Sequence, residues 1–396
     1  MTKLEKNLFA WVHKYETALT VLFCLAISMA MRYGMRGAFS VDMRDYLLPW
    51  LRQLKAAGGL AGLSQPIGEY NVPYMTILAV LSYLPEHHWI TAVKVVSVVF
   101  DLICAGLVVC IARHLGSRIS VSVLLTVSLM APQVVLNSSV WGQCDAIYTA
   151  CLLACALFLL KKRYGLCWLF WGFALGFKLQ ALFYFPALFI LYILGQAGSI
   201  FWAAMAPLAY LIGLVPALIA GRPLLNTLTI YLTQVGLYND LTMCMPNFYD
   251  LVTGYIPLVS PFGTMFAASL LLLFAMWMYL NHPVLNDRQI LVLFAATSLL
   301  AVFFLPHMHE RYNYPIFFFL LAAATVWKPA IWLALAQSLT TTLSYSAFLF
   351  SYYSPVPSWV LALVNLATVL YCVWEMLSLR GPVPAALPDA EKTPQA

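Results

Sequence analysis

Two short segments carry the residue types that proton transfer and anion binding require. In Asp42-Met43-Arg44-Asp45-Tyr46 an arginine separates two carboxylates. A cation beside a carboxylate favours the ionised form, so the segment suits a general base. The same residues also read as solvated charges in an interfacial loop. The second segment is His307-Met308-His309-Glu310-Arg311, set between Phe303-Phe304 and Tyr312. Four ionisable side chains in five positions are costly at membrane depth unless they face a cavity. Side chains at i and i+2 converge on an extended chain, so His307, His309 and Glu310 fit a metal site. They fit a phosphate clamp equally well, with Arg311 supplying a forked donor set.

Four smaller features accompany these: Tyr70-Asn71-Val72-Pro73, Trp141-Gly142-Gln143-Cys144-Asp145, Phe177-Lys178 and Met245-Pro246-Asn247-Phe248. Each alone reads as a cap, a turn or a snorkelling side chain. Together they count for more, because all four fall on the same side of the hydropathy pattern. Lys94 and Asp101 lie seven residues apart on one helical face and are expected to pair within the membrane. Asn137-Ser138-Ser139 matches a glycosylation sequon. Cys144 and Cys244 alone fall near loops and form the one candidate disulfide, whereas the other seven cysteines lie in apolar segments.

A scaffold for such residues is set by composition. Of 396 residues, 63% are hydrophobic and only 9% charged, against roughly a quarter charged in soluble domains. Apolar runs recur from end to end, which excludes a soluble enzyme and predicts an all-α polytopic membrane protein. About twelve spans are expected, near 17–34, 89–112, 119–136, 143–160, 164–178, 181–196, 200–220, 255–280, 289–305, 313–327, 330–351 and 357–379. Residues 164–196 read alternatively as one broken element. The first apolar run, followed by Arg32 and Arg36 without a small-residue cleavage site, reads as a retained span.

The excess of 21 Lys+Arg over 15 Asp+Glu reads as loop anchoring and makes no case for nucleic acid. With an even number of spans, both termini are expected in the cytoplasm of an inner (plasma) membrane protein, with the polar clusters on the outer face. Residues 1–380 then form one domain, 35–88 its outer loop, and the Pro/Ala-rich 381–396 a disordered cytoplasmic tail. Within the outer loop, Leu47, Leu51 and Leu54 at i, i+4, i+7 predict an interfacial helix, and Tyr74–Leu84, apolar but too short to cross alone, a second interfacial or re-entrant one. Neither an internal repeat nor a glycine-rich nucleotide loop is visible.

With these motifs in place the chain resembles the membrane-embedded GT-C glycosyltransferases that use lipid-phosphate sugars, in particular bacterial proteins related to GPI mannosyltransferases. The carriers are Asp42 ahead of Tyr46-Leu47-Leu48-Pro49-Trp50, the Tyr70-Asn71-Val72-Pro73-Tyr74 step, Trp141-Gly142-Gln143 with Asp145, and His307–Tyr312. The last is similar to the His-x-His-Glu-basic motif of dolichol-linked-oligosaccharide glucosyltransferases, whose Phe-Lys step resembles Phe177-Lys178. The resemblance spans about residues 15–350. It implies Asp42 as catalytic base, with Asp45 an additional carboxylate. It implies Arg311, His307, His309 and Lys178 around a donor phosphate. Glu310 would orient a histidine, and Arg44, Tyr70, Asn71, Trp141, Gln143, Asp145 and Asn247 would support the site.

Chemistry points the same way. Nucleotide sugars are cytoplasmic, so an enzyme whose polar residues face outward needs a hexose on a polyprenyl phosphate, passed to a glycan or lipid-linked acceptor. Phosphate is already a good leaving group; one base and cations suffice, and direct displacement inverts the anomeric centre. No cofactor is called for, and the partners are donor, acceptor and membrane lipids. Two rivals stand beside this reading. A secondary transporter or lipid flippase would show repeat symmetry and mid-membrane charges, and a zinc-dependent hydrolase would use His307, His309 and Glu310.

Overall fold

The computed structural model describes residues 1–233, 240–252, 256–350 and 354–380, and these are almost wholly helical. The expected disordered tail, 381–396, lies outside the described residues. A Thr2–Glu5 capping box opens α1 (Lys3–Gly34). A π-helical turn, Met43–Leu47, leads into α2 (Leu48–Ala56), and Asn71 caps α3 (Val72–Leu81). After α4 (Trp89–His114) come α5 (Val121–Met130) and α6 (Pro132–Val135), which continues as a π-helical stretch, Leu136–Trp141. Then follow α7 (Asp145–Leu160), α8 (Tyr164–Phe177), α9 (Phe185–Ile193) and α10 (Met205–Ile219). Two short helices, α11 (Leu224–Leu228) and α12 (Ile230–Thr233), precede a strand, β1 (Thr242–Met243). The remainder is α13 (Ile256–Asn281), α14 (Asp287–Phe304), β2 (Met308–His309), α15 (Tyr314–Ala324), α16 (Pro329–Phe350) and α17 (Ser358–Leu377).

Each of the twelve expected spans overlaps helix among the described residues, with 255 and 351 lying outside them, yet only six of the described helices are long and apolar enough to cross a membrane. A seventh is added if α5 and the stretch from Pro132 to Trp141 count as one span, bent by 59°. Pro132 explains the break, because it has no N–H to donate and its ring crowds the preceding turn. By contrast α7, α8 and α15 fall short of the roughly 20 residues that crossing requires. Burial differs sharply along the chain: 83% of the apolar window of α14 is inside the bundle against 11% for α1. An all-round apolar helix such as α14 therefore forms the core, while α1 packs at the edge, chiefly on α5. Within residues 164–196 the helix is interrupted, Lys178 being extended between α8 and a 3₁₀ stretch, Leu179–Tyr184, that enters α9.

Helix connections separate into two groups. At one end Ser117 donates to the Thr325 carbonyl, Gln196 bonds the backbone of Pro283 and Leu285, and Arg288 pairs with Glu375 at 2.7 Å. The other end gathers the loop after α1, the α6–α7 break, Lys178 and the α14–α15 connection. Both expected interfacial helices lie at this second end. Trp50, Leu51 and Leu54 of α2 are buried, and α3 begins two residues earlier than expected because Asn71 caps it.

One sequence expectation is overturned, and two weaker sequence matches are not realised. Lys94 and Asp101 do not pair: two helical turns separate them by about 10 Å along the axis, and each finds a partner on another element. Asp101 accepts from Arg32 at 2.9 Å and from the Tyr314 hydroxyl at 2.8 Å, whereas Lys94 caps the C-terminus of α1 by donating to the carbonyls of Met35, Arg36 and Ala38. Asn137 is fully buried, its amide donating to Asp145 and Tyr345, so the sequon offers no accessible acceptor. Cys144 and Cys244 are both free thiols.

Candidate active site

Asp42 is placed by contacts that begin at the end of α1. With Lys94 closing that helix, Ser40 accepts from the Met43 amide and donates to the Trp141 carbonyl at 3.0 Å, tying the first loop to the α6–α7 break. Asp42 Oδ2 then accepts from Trp141 Nε1 at 2.9 Å and Gln143 Nε2 at 2.5 Å. Its other oxygen, Oδ1, takes no hydrogen bond among the described residues. Gln143 is held from behind, because the Tyr70 hydroxyl donates to its Oε1 at 3.1 Å. Between the two donors sits Gly142, whose φ of +78° favours glycine, with the tip of the Met43 side chain 2.8 Å from where a Cβ would stand.

A cationic half faces this carboxylate. Lys178 at the start of the extended break donates to Asp145 Oδ1, while Asn137 donates to Asp145 Oδ2 at 2.9 Å. Arg311 Nη1 stands 3.6 Å from Asp42 Oδ2 and 3.5 Å from Glu310 Oε1, and its Nε is 4.0 Å from Asp145. The guanidinium lies 5.3 Å from the Trp141 ring centre, so the indole that holds Asp42 also supports the arginine.

The segment after α14 is fixed as an edge. β2 pairs in parallel with β1, Met243 opposite His309. His307 does not share their direction. Its φ of +62° turns the ring away, where Nε2 meets Ser260 Oγ at 2.7 Å and Nδ1 meets the Asp240 carbonyl at 2.7 Å. The expected convergence of His307 and His309 thus fails, because the extended conformation it needs begins one residue later. Burial, reinforced by the charges of Arg311 and Lys178, pushes the His309 pKa down and keeps the imidazole neutral. Burial pushes Glu310 up to about 7, opposed by Arg311.

These groups line one cavity of 410 Å³. Asp42, Asp45, Tyr70, Asn71, Gln143, Lys178, His309, Glu310 and Arg311 form its wall. Trp141 and Asp145 are buried behind it, gripping Asp42 and the cations. Three expected site residues stand apart: His307 pegs the loop, Arg44 pairs with Asp45 on the exposed rim, and Asn247 caps the turn Phe248–Asp250. Sequence reading missed Asn137 and Tyr345, which orient Asp145, and the strand β1 that fixes His309. Asn137 carries a signal, but as a sequon; β1 is two residues long and has none. Among the described residues no cluster of three or more His, Cys, Asp or Glu is placed to hold a metal ion. Compared with known proteins, the chain matches no family model and no curated protein.

Proposed function

We propose that the protein is an inverting glycosyltransferase that moves a hexose from a polyprenyl phosphate to a glycan or glycolipid acceptor. The observation that carries this reading is the pairing of one poised carboxylate with two cations in a single cavity. Asp42 has Oδ2 held by Trp141 and Gln143 while Oδ1 is open, so it is presented as a hydrogen-bond acceptor. Arg311 and Lys178 share the cavity with it. In such a site Asp42 takes the acceptor hydroxyl proton as that oxygen attacks the anomeric carbon. The bond to phosphate oxygen breaks with inversion, and Arg311 and Lys178 hold the departing charge.

Cytoplasmic termini, twelve crossings and an outward-facing site belong to the same proposal. Its support is the charge of the opposite end, where Arg113, Arg118, Lys161, Lys162, Arg163 and Lys328 gather in short connections. The decisive experiment is reconstitution of purified protein with synthetic polyprenyl-phosphate hexoses and candidate acceptors. Product with inverted anomeric configuration by NMR is the expected result, and no transfer from any such donor would refute the reading.

A further inference from the structure

Glu310 is a cavity-lining carboxyl that takes no part in the proposed reaction, and its surroundings are unusual. It is 2% exposed, and Oε1 is buried without a hydrogen bond among the described residues. Arg311 Nη1 is 3.5 Å from that oxygen and 3.6 Å from Asp42 Oδ2, so one guanidinium nitrogen is shared by two carboxylates. A count of formal charge shows the difficulty. Two cations on the wall, Lys178 and Arg311, stand against three carboxylates, Asp42 and Glu310 on the wall and Asp145 directly behind it, in contact with both cations. With all three ionised the net charge of this group is −1, and while Asp45 is offset by Arg44, Glu69 and Asp240 on the wall are further carboxylates. An entering phosphodiester would meet repulsion. With a proton on Glu310 the inner cavity is neutral, and the carboxyl becomes a donor rather than a competing acceptor for Arg311.

We infer that a phosphodiester enters this cavity together with one proton, which Glu310 holds. The inference rests on the proposed donor class and assigns Glu310 a role in donor recognition rather than in orienting a histidine. The proton comes from solvent and goes to a Glu310 carboxyl oxygen; no covalent bond of the ligand changes. Other groups facing Glu310 do not supply it. His309 on the same segment is held neutral by burial and by Arg311 and Lys178, and the Cys244 thiol just after β1, though exposed at its surface, is pushed up by partial desolvation and by the carboxylate of Glu310. Arg311 and Lys178 are the cations already counted, Asp42 and Asp145 the anions, and Tyr345 of α16 presents a phenol. Burial, opposed by Arg311, places Glu310 near neutrality, at about 7, and an anion beside it raises this further.

The test uses the full-length protein in nanodiscs and farnesyl methyl phosphate, a diester that carries one charge across the range and does not itself titrate. Titration calorimetry at pH 7.5, in buffers of different ionisation enthalpy, counts protons taken up. Uptake of a large fraction of one proton is expected, with affinity about tenfold weaker at pH 8 than at pH 6, as linkage to a group near 7 requires. Glu310→Gln keeps a neutral donor, so its affinity should be flat over that range with no uptake. Binding by wild type without uptake, or a Gln variant that retains the pH dependence, overturns the inference. Failure of wild type to bind the diester at any pH would instead strike the donor reading itself. Because the proton count needs no variant, misfolding of Glu310→Gln leaves the test intact.

Discussion

Trp141 Nε1 donates to Asp42 Oδ2 at 2.9 Å across 99 positions of sequence. That bond, with the Gln143 amide on the same oxygen, decides what Asp42→Asn should do. Both donors need an acceptor, so the new side chain turns its carbonyl toward them and its NH₂ toward the cavity. Shape and contacts are kept while the free lone pairs are lost. Turnover should fall by about 10²–10⁴, the usual contribution of a general base, with thermal unfolding close to wild type. Near-normal turnover with a synthetic donor would move the base elsewhere.

Much of this arrangement is legible in the residues. Asp42, Lys178, His309, Glu310 and Arg311 stand out because ionisable groups in apolar surroundings must face a cavity, and they do share one. The α2 stripe is legible because Leu51 and Leu54 follow helical spacing. What escapes is set by tertiary contact. The destination of Asp101 depends on α1 and α15 meeting α4, which no local spacing encodes. Positive φ at His307 comes from anchoring to Ser260 and Asp240, residues remote in sequence. The site end is also where helices are interrupted, at Leu136–Trp141 and Lys178, and a bend in an apolar run leaves little trace beyond Pro132.

Buried charge also predicts stability. The Arg32 and Asp101 side chains are 3% and 0% exposed and pair at 2.9 Å. Removing one partner strands the other, so Arg32→Met and Asp101→Asn should each cost about 3–5 kcal/mol. The double variant should be less destabilised than the sum, because the introduced amide still accepts from Tyr314 and no unpaired charge remains. Denaturant unfolding of the purified protein followed by tryptophan fluorescence gives the cycle; strictly additive losses would show that the two residues act independently.

Orientation is testable by labelling. In a background lacking Cys110 and Cys244, the two exposed native thiols among the described residues, single cysteines replace exposed Leu60 at the site end and exposed Arg118 at the other. An impermeant maleimide applied to intact cells should label position 60 and leave position 118 unmodified until the membrane is opened. The reverse pattern would turn the site toward the cytoplasm, where nucleotide sugars compete as donors and the case for a lipid-linked sugar weakens.

Arg311→Lys separates a phosphate clamp from a general cation. Lysine keeps the charge, but a single ammonium cannot bridge Asp42, Glu310 and Asp145 as the planar guanidinium does from 3.6, 3.5 and 4.0 Å. Loss of the fork removes charge-assisted hydrogen bonds worth about 1.5–3 kcal/mol each in favourable settings. Donor affinity should therefore drop about tenfold or more, read as a raised KM for the lipid-phosphate hexose, while the protein remains folded. A metal centre on the same segment makes a different forecast, with activity lost in chelator and restored by zinc or manganese. Donor geometry favours the clamp: His307 is turned out to Ser260, which leaves His309 and Glu310 as an adjacent pair 3.9 Å apart beside a permanent cation. Excess EDTA should accordingly leave both KM and turnover unchanged, and chelator-sensitive transfer would return the histidine segment to metal chemistry.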